Sequence, residues 1–314
     1  MTMFGISFPG SGGAYGTFET LPSFSGLGYS SFLFGSTFTN TPTANLFESS
    51  SAGNATINGV PGTTALTTSG ATITAAIASG VLTVSTFTSG AALAVGDAIY
   101  NSNGVVLGVI ASLGTGTGGT GTYNLASGWV TTASATMYTA QARAELPGFS
   151  ASIYAINNAM SYFAVAKVTG AKGEGLLSDY IANSGPSFGL LVNTSNQALA
   201  IARGTSGLVN SAVTLPSNPS TAWALYVATF SATQCQVSHW RTSLGVTSGT
   251  TGDMTTVTAP GSTTNKRQVG RPYGAPPAST VAAVGSYTGA LTTAQIAQLG
   301  ATLSGILADA GEVL

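Results

Sequence analysis

Charge is what this sequence has least of. Of 314 residues, 8 are Lys or Arg and 9 are Asp or Glu, so charged residues make up 5% of the chain. A typical soluble domain carries about 25%. The basic residues are scattered and the net charge is −1, which argues against a nucleic-acid binder that relies on phosphate neutralisation. Disorder caused by high net charge is excluded for the same reason.

Cysteine, histidine and long apolar runs are also scarce. Cys235 is the only cysteine, so an internal disulfide is excluded. His239 is the only histidine, which leaves too few ligands for a conventional zinc site within one chain. No apolar run approaches the ~20 residues that span a bilayer, and the first residues lack the basic region and apolar core of a secretory signal. We therefore expect neither secretion by such a signal nor membrane insertion.

The few charges divide the chain unevenly. No Lys or Arg precedes Arg143, and Glu19, Glu48 and Asp97 are the only charged residues before it. This change in composition near residue 141 predicts three regions, which are residues 1–49, 50–140 and 141–314.

The first region, residues 1–49, combines aromatic residues with Gly, Ser and Pro. Two interpretations are open. The region is either an extended arm that docks on a neighbouring subunit, because interface cores are enriched in aromatic residues, or it supplies edge strands to the chain's own core. The candidate docking residues are Phe4, Phe8, Tyr15, Phe18 and Phe24.

The second region, residues 50–140, contains short apolar segments at 71–78, 81–87, 96–100 and 104–113, separated by Gly-rich turns. Short strands at this spacing predict a β-sandwich or barrel. Residues 82–127, with the tract GTGTGGTGTY after an apolar strand, resemble a small β-module of phage tail and other virion surface proteins. The resemblance implies a virion setting and no particular activity. The module either precedes the following domain or is inserted in it.

The third region, residues 141–314, reads as successive strands and ends in a helical pattern. Ile296, Leu299 and Leu303 fall on one helical face, and Thr292 with Gln295 forms a capping-box pattern, which predicts a helix near 292–309. From AKV at 166–168 to this helix the segments resemble a laminin-G-like or concanavalin-A-like jelly roll, in which an aromatic such as Tyr287 precedes the closing helix. The expected fold is all-β: an antiparallel jelly-roll sandwich, a small β-module and one short C-terminal helix.

Nucleophilic and cofactor chemistry find little support in the sequence. The G-x-G-x-x-G match at 114–119 lacks the helix and acidic residue that a dinucleotide site needs, so a Gly/Thr loop is expected. Cys235 and His239 lie about 13 Å apart along an extended strand, too far for a nucleophile–base pair. His239 is expected to be a core or edge-strand residue.

Carboxylate chemistry leaves one alternative open. Glu174 and Asp179 are the closest acidic pair in strand-rich sequence apart from the C-terminal tail, but their odd spacing places them on opposite faces of a shared strand. A polysaccharide-degrading glycoside hydrolase would need two acids flanking the scissile bond, so it is the alternative to a non-enzymatic protein. No cofactor is expected, although Asp179 and Asn183 would supply some of the oxygens of a calcium site.

Binding is the remaining class of function. Lys266, Arg267 and Arg271 are the densest charge, enough for weak phosphate binding or for pairing with acids of a neighbouring subunit. Four aromatic residues are candidates for stacking on sugar rings, with a place in the chain's own core as the competing interpretation. They are Trp223, Tyr226, Trp240 and Tyr273.

Taken with the two resemblances, these observations predict a non-enzymatic bacteriophage structural protein on the surface of the virion. It would be a tail-fibre, tail-tip or capsid-decoration component that contacts other virion proteins and host-cell glycans but not nucleic acid. The phage resemblance and the lack of Lys residues that guard β-edges favour a homo-oligomer, by analogy a trimer.

Overall fold

The computed structural model describes a β-rich protein. The residues it describes are 21–22, 24–25, 27, 29–33, 56–58, 65–141, 143–146, 150–169, 173–181, 185–261, 267–309 and 313–314. Every structural statement below concerns these residues.

The secondary structure falls into three successive groups. The first group is β1 (Tyr29–Leu33), β2 (Thr56–Asn58) and β3 (Leu66–Thr67). The second is β4 (Ala71–Ala78), β5 (Val81–Gly90), β6 (Ala98–Tyr100), β7 (Val106–Leu113), β8 (Gly121–Leu125) and β9 (Thr132–Ala140). The third is β10 (Arg143–Leu146), α1 (Ser150–Asn157), β11 (Met160–Lys167), β12 (Glu174–Ser178), β13 (Ser187–Val192), β14 (Gln197–Arg203), β15 (Leu208–Thr214), β16 (Ala224–Phe230), β17 (Gln234–Arg241), β18 (Gly245–Ser248), β19 (Gly252–Asp253), a 3-10 turn (Met254–Thr256), β20 (Arg267–Val269), β21 (Arg271–Pro272), β22 (Thr280–Tyr287) and α2 (Thr293–Asp309).

Two antiparallel sheets form a sandwich. Sheet A has the order β1-β22-β11-β16-β17-β18, with β3 beside β22 and β19 beside β17. Sheet B has the order β15-β14-β13-β12-β20-β10-β2, with β21 beside β12. The chain passes repeatedly between the sheets, since β11 lies in sheet A, β12 to β15 in sheet B, and β16 to β18 in sheet A again.

Strands β4 to β9 form a closed barrel in the order β4-β5-β8-β7-β6-β9. The chain leaves sheet A after β3, builds the barrel and joins sheet B at β10. The two crossings are adjacent, because the Gln141 amide donates to the Ser69 carbonyl at 2.8 Å and the Ala71 amide donates to Thr139 Oγ1 at 2.8 Å. The barrel therefore lies, in chain order, between two strands of the sandwich.

Sheet A is buried on both faces. Its inner face packs against sheet B in a core that includes Tyr162, Phe230 and Val284. Its outer face is covered by α2, whose Leu299 and Leu303 pack in a second cluster with residues of sheet A. Strands buried on both faces show no polar–apolar alternation, which accounts for the nearly continuous apolar sequence of β11 and β16.

The predicted fold class is confirmed, and so is the predicted cap of α2. The Thr292 amide donates to Gln295 Oε1 at 2.8 Å, and the Gln295 amide donates to Thr292 Oγ1 at 3.3 Å, which are the two reciprocal bonds of a capping box. The structure adds one short helix that the sequence analysis does not predict, α1. Within the described residues, no helix combines the length and hydropathy needed to cross a membrane.

The docking-arm interpretation is wrong for the part of the first region that the structure describes. Phe24 is 7% exposed and its ring centroid lies 5.3 Å from that of Tyr287 in the same chain. Strand β1 pairs along its whole length with β22. Residues 24 and 29–33 thus complete the chain's own sandwich, whereas Phe4, Phe8, Tyr15 and Phe18 lie outside the described residues.

The contact between α2 and sheet A predicts opposite effects for two glycines of one helix. A Cβ at Gly300 would lie 2.4 Å from Trp240 Cδ2, so Gly300→Ala is expected to lower the free energy of unfolding by about 1–2 kcal/mol. Gly305 is solvent-exposed, so Gly305→Ala is expected to raise it by up to about 1 kcal/mol through helix propensity alone. Urea denaturation of both variants checks this, and equal effects would contradict the packing.

Candidate binding face of sheet B

Most of the charged side chains that the structure describes lie in the interior of the protein. Seven charged side chains are at most 7% exposed, namely Asp97, Arg143, Glu174, Asp179, Arg241, Arg267 and Arg271. Asp253 is the one exposed charged residue among the side chains that the structure describes. Buried charges require partners, so the contacts of each group show whether it is structural or available for chemistry.

The buried arginines are held by groups of their own chain. Arg241 Nε donates to the Trp223 carbonyl at 2.9 Å, and Arg267 Nη1 donates to Ser286 Oγ at 3.0 Å. Arg271 Nε donates to Gln268 Oε1 at 2.9 Å. The expected basic cluster is therefore wrong as a surface patch for phosphate or a neighbouring subunit, because Arg267 and Arg271 lie in the interior. Lys266 lies outside the described residues.

Arg143 and Gln268 join the barrel to the sandwich. Arg143 Nη1 donates to the Gly96 carbonyl at 3.1 Å and to the Ala140 carbonyl at 3.0 Å. The Tyr100 hydroxyl donates to Gln268 Oε1 at 3.3 Å across the boundary. Burial raises the pKa of Asp97, beside this junction, from 3.8 to about 6, and the charge of Arg143 opposes that rise.

The buried acids do not form a hydrolase site. Glu174 is 1% exposed and its Oε2 accepts a hydrogen bond from Thr68 Oγ1 at 2.8 Å. Burial raises the pKa of Glu174 from 4.5 to about 7. Asp179 is 0% exposed and accepts the Phe188 amide at 2.7 Å. Both acids of the hydrolase alternative are thus enclosed by their own chain.

Asp179 and Asn183 are the candidate ligands of a calcium ion. Asp179 is buried without access to solvent, which rules it out as a ligand of a surface calcium ion, and Asn183 lies outside the described residues. Across the described part of the chain, no three His, Cys, Asp or Glu side chains are grouped so that they would hold a metal ion.

Three of the four sugar-stacking candidates lie in the interior, as the competing interpretation has it. Trp223, Tyr226 and Trp240 are 2%, 0% and 7% exposed. Tyr226 lies in the sandwich core, whereas Trp223 and Trp240 lie on the opposite face of sheet A, in the cluster with α2. A sugar cannot stack on a ring that is already enclosed by protein.

The remaining nucleophile and cofactor candidates are structural. His239 is buried, and burial together with the charge of Arg241 lowers the pKa of its imidazole. Burial raises the pKa of the Cys235 thiol to about 11, so it is a poor nucleophile at neutral pH. Residues 114–119 form the loop between β7 and β8, as the sequence predicts.

Tyr273, the fourth sugar-stacking candidate, is partly exposed. Its centroid lies 6.0 Å from that of Tyr180 at an interplanar angle of 65°. Both rings join an apolar cluster built from sheet B alone, which also contains Leu191, Leu199 and Ile201. Since Ala198, Ala200 and Ala202 of β14 lie in the sandwich core, the cluster lies on the opposite side of the sheet. We call this side the outer face of sheet B.

Arg203 lies on the same outer face. It follows Leu199 and Ile201 at alternate positions of β14, and alternate residues of a strand share a face. Its Nε is buried without a hydrogen-bond partner, and no described residue pairs with its guanidinium. The outer face therefore combines an aromatic pair, aliphatic side chains and one uncompensated cation.

Tyr180 and Arg203 are not predicted from the sequence. A signal was present in β14, QALAIAR, where alanines alternate with larger residues. Small residues suit a side that packs closely on another sheet, so the larger set faces away from the sandwich core. Arg203, which donates no hydrogen bond to a described residue, ends that larger set.

No protein-family model matches the chain, and no curated protein sequence matches it. Among solved structures, the receptor-binding domain of botulinum neurotoxin mosaic serotype C/D aligns at 8% identity and a TM-score of 0.39, over 51% of this chain and 40% of that one. The binding domain of Paraclostridial Mosquitocidal Protein 1 aligns at 8% identity and a TM-score of 0.39, over 74% and 52%. A Trypanosoma rangeli sialidase aligns at 16% identity and a TM-score of 0.36, over 53% and 26%. The chain thus spans about half or less of these structures.

Proposed function

We propose that this chain is a non-enzymatic structural protein on the surface of a tailed-phage particle, a tail-fibre, tail-tip or capsid-decoration component that also binds host-surface glycans. The observation that carries the proposal is the absence of charge from the surface of the barrel. Residues 71–140, which the structure describes throughout, contain one charged side chain, Asp97, and it is 2% exposed. An uncharged surface promotes association with other protein surfaces.

Exposed apolar side chains on the barrel support a permanent contact. Val95 is 59% exposed, Leu113 and Val130 are 47% exposed, and Val106 is 38% exposed. The Val130 amide donates to the Leu107 carbonyl at 2.8 Å, which brings Val106 and Val130 to the same part of the barrel. Apolar surface of this kind is typical of a protein–protein contact.

The phage setting is supported by the sequence of the barrel. Residues 82–127, which resemble the virion β-module, run from β5 to just beyond β8. The resemblance concerns the part of the chain whose surface is uncharged, so both observations favour contacts within a particle. Glycan binding is supported by the partly exposed Tyr273 and by the guanidinium of Arg203, which donates no hydrogen bond to a described residue.

Particle fractionation tests the proposal. Phage particles from a lysate of the source strain are banded on a density gradient, and tryptic peptides of this chain are measured in each fraction. We expect the peptides to sediment with intact particles, and gold-labelled antibody to decorate their outside. Recovery of the chain only in the particle-free supernatant would contradict the structural assignment.

A charge placed on the barrel is expected to prevent self-association. Light scattering is expected to show a trimer for the unaltered protein, and Val106→Glu is expected to shift it to monomer because a buried, unpaired charge opposes association. Leu208→Glu is the control, since Leu208 is 46% exposed on sheet B. A monomeric unaltered protein, or equal effects of the two variants, would contradict an interface on the barrel.

A further inference from the structure

We propose that the outer face of sheet B binds an acidic oligosaccharide, with a sugar carboxylate on Arg203 and a second sugar ring against Tyr273. The inference deepens the glycan-binding part of the proposed function and rests on it. It adds the ligand class, a carboxylated glycan, and the part of the ligand that each of the two residues binds.

The state of Arg203 is the first step. The other four arginines donate hydrogen bonds to carbonyl or side-chain oxygens of the chain, as the contacts of Arg143, Arg241, Arg267 and Arg271 show. Arg203 donates none among the described residues, although its Nε is buried. A buried donor without a partner is costly, which sets Arg203 apart. Its Nη1 and Nη2 also donate to no described residue but are not buried, so these two donors are available to an external acceptor.

The chemistry of guanidinium selects the acceptor. Its planar fork matches a carboxylate with two parallel hydrogen bonds, and such charge-assisted pairs are stronger than neutral ones. Strands β13, β14 and β15 around Arg203 contain no acidic residue. A carboxylate bound at Arg203 therefore meets no acidic side chain on these three strands, and Arg203 is the only cationic residue in them.

The aromatic pair supplies the second contact. Tyr180 packs edge-on against Tyr273, which limits the freedom of the exposed ring before a ligand arrives. An aromatic face suits the apolar face of a sugar, and the hydroxyl provides a polar handle. Asn210, exposed and paired with Ile201 in the register of β14 and β15, adds an amide on the same face.

The spacing favours an oligosaccharide over a monosaccharide. Arg203 lies on β14 and Tyr273 directly follows β21, and strands β13 and β12 lie between β14 and β21. With neighbouring strands about 4.8 Å apart, the two residues are separated by about 14 Å across the sheet. One sugar ring cannot reach both Arg203 and Tyr273, whereas a short chain of sugars can cross the strands between them.

Two probes that differ only in charge test the site. Trigalacturonate carries the carboxylates, and its methyl ester carries the same sugars without charge. Calorimetry is expected to show at least about tenfold weaker binding of the ester, in line with the loss of a charged hydrogen-bonded pair. Arg203→Gln is expected to weaken trigalacturonate binding by the same factor and to leave the ester unchanged, whereas Tyr273→Ala is expected to weaken both probes.

Lys167→Gln is the matched control. It also removes one positive charge, but Lys167 belongs to β11 of sheet A and not to the outer face of sheet B. It is expected to leave binding of both probes unchanged. Arg203→Met separates a binding residue from a structural one, and its Tm is expected to equal or exceed that of the unaltered protein. Three results would overturn the site: no binding of trigalacturonate, equal binding by Arg203→Gln, or a lowered Tm in Arg203→Met. None of them bears on particle fractionation, which tests the structural proposal separately.

Discussion

Replacing Gly70 with alanine is expected to destabilise the protein by about 3 kcal/mol, the upper end of what overpacking a well-packed site costs. A Cβ at this position would lie 1.9 Å from the carbonyl oxygen of Thr139 and 2.9 Å from Pro277 Cδ. Gly70 is buried where the chain crosses from the sandwich into the barrel. The added methyl group would therefore push one crossing away from the other.

The backbone around Gly70 has little room to yield. The Ala91 amide donates to the Gly70 carbonyl at 3.0 Å, and the neighbouring Ser69 carbonyl accepts the Gln141 amide at 2.8 Å. A shift that removes the clash breaks one of these bonds and leaves a buried backbone group unpaired, which adds its own cost. The strain is thus expected to reach the contact between Tyr100 and Gln268 that joins barrel to sandwich.

Gly119→Ala is the matched control. A Cβ there meets nothing within 4 Å, so the change is expected to stay within about 0.5 kcal/mol of the unaltered protein. Urea denaturation measures both variants, and amide exchange at β6 and β20 reports whether the junction loosens in Gly70→Ala. Equal stability of the two variants would show that the crossings tolerate more space than their contacts indicate.

The elements that the sequence predicts correctly are those whose signal is local. The cap of α2 needs only Thr292 and Gln295, three residues apart, and the barrel strands alternate regularly, as β4 shows. Helix α1 is not predicted from the sequence. It has only eight residues, with no acidic residue in the first turn and no basic residue in the last, so it lacks the usual start and stop signals of a helix.

The site could not be predicted in the same way, because burial is decided by distant parts of the chain. Alternation identifies an exposed side only where one side of a strand faces water. Sheet A is covered by sheet B on one face and by α2 on the other. Tyr226, on the inner face, and Trp240, on the outer face, are therefore both enclosed. The outer face of sheet B becomes evident only after register places Arg203 beside Leu208 of β15 and Ser187 of β13.

The buried acids lead to the second large prediction, which concerns pH. The pKa of Glu174 is raised from 4.5 to about 7 by burial, against the opposing hydrogen bonds from Thr68 and the backbone of Ser279. Between these two values the folded protein keeps a proton that the unfolded chain releases. The stabilisation is therefore fully present below about pH 4.5 and is lost as the pH rises towards 7. Asp97, with its pKa raised from 3.8 to about 6, acts in the same direction.

Glu174→Gln is expected to remove most of this dependence, because the amide oxygen accepts the bond from Thr68 and never ionises. A difference of 2.5 pKa units corresponds to on the order of 3 kcal/mol. At pH 8 the free energy of unfolding of the variant is expected to exceed that of the unaltered protein by about that amount, and at pH 4.5 the two are expected to be nearly equally stable.

Asp253→Asn is the control of opposite sign, since hydrogen bonds from Thr255 lower the pKa of that exposed acid. Guanidinium denaturation at pH 4.5, 6 and 8 measures all three proteins. An advantage of Glu174→Gln that is the same at every pH would show that the pKa of Glu174 is the same in the folded and the unfolded protein, which would contradict the raised pKa.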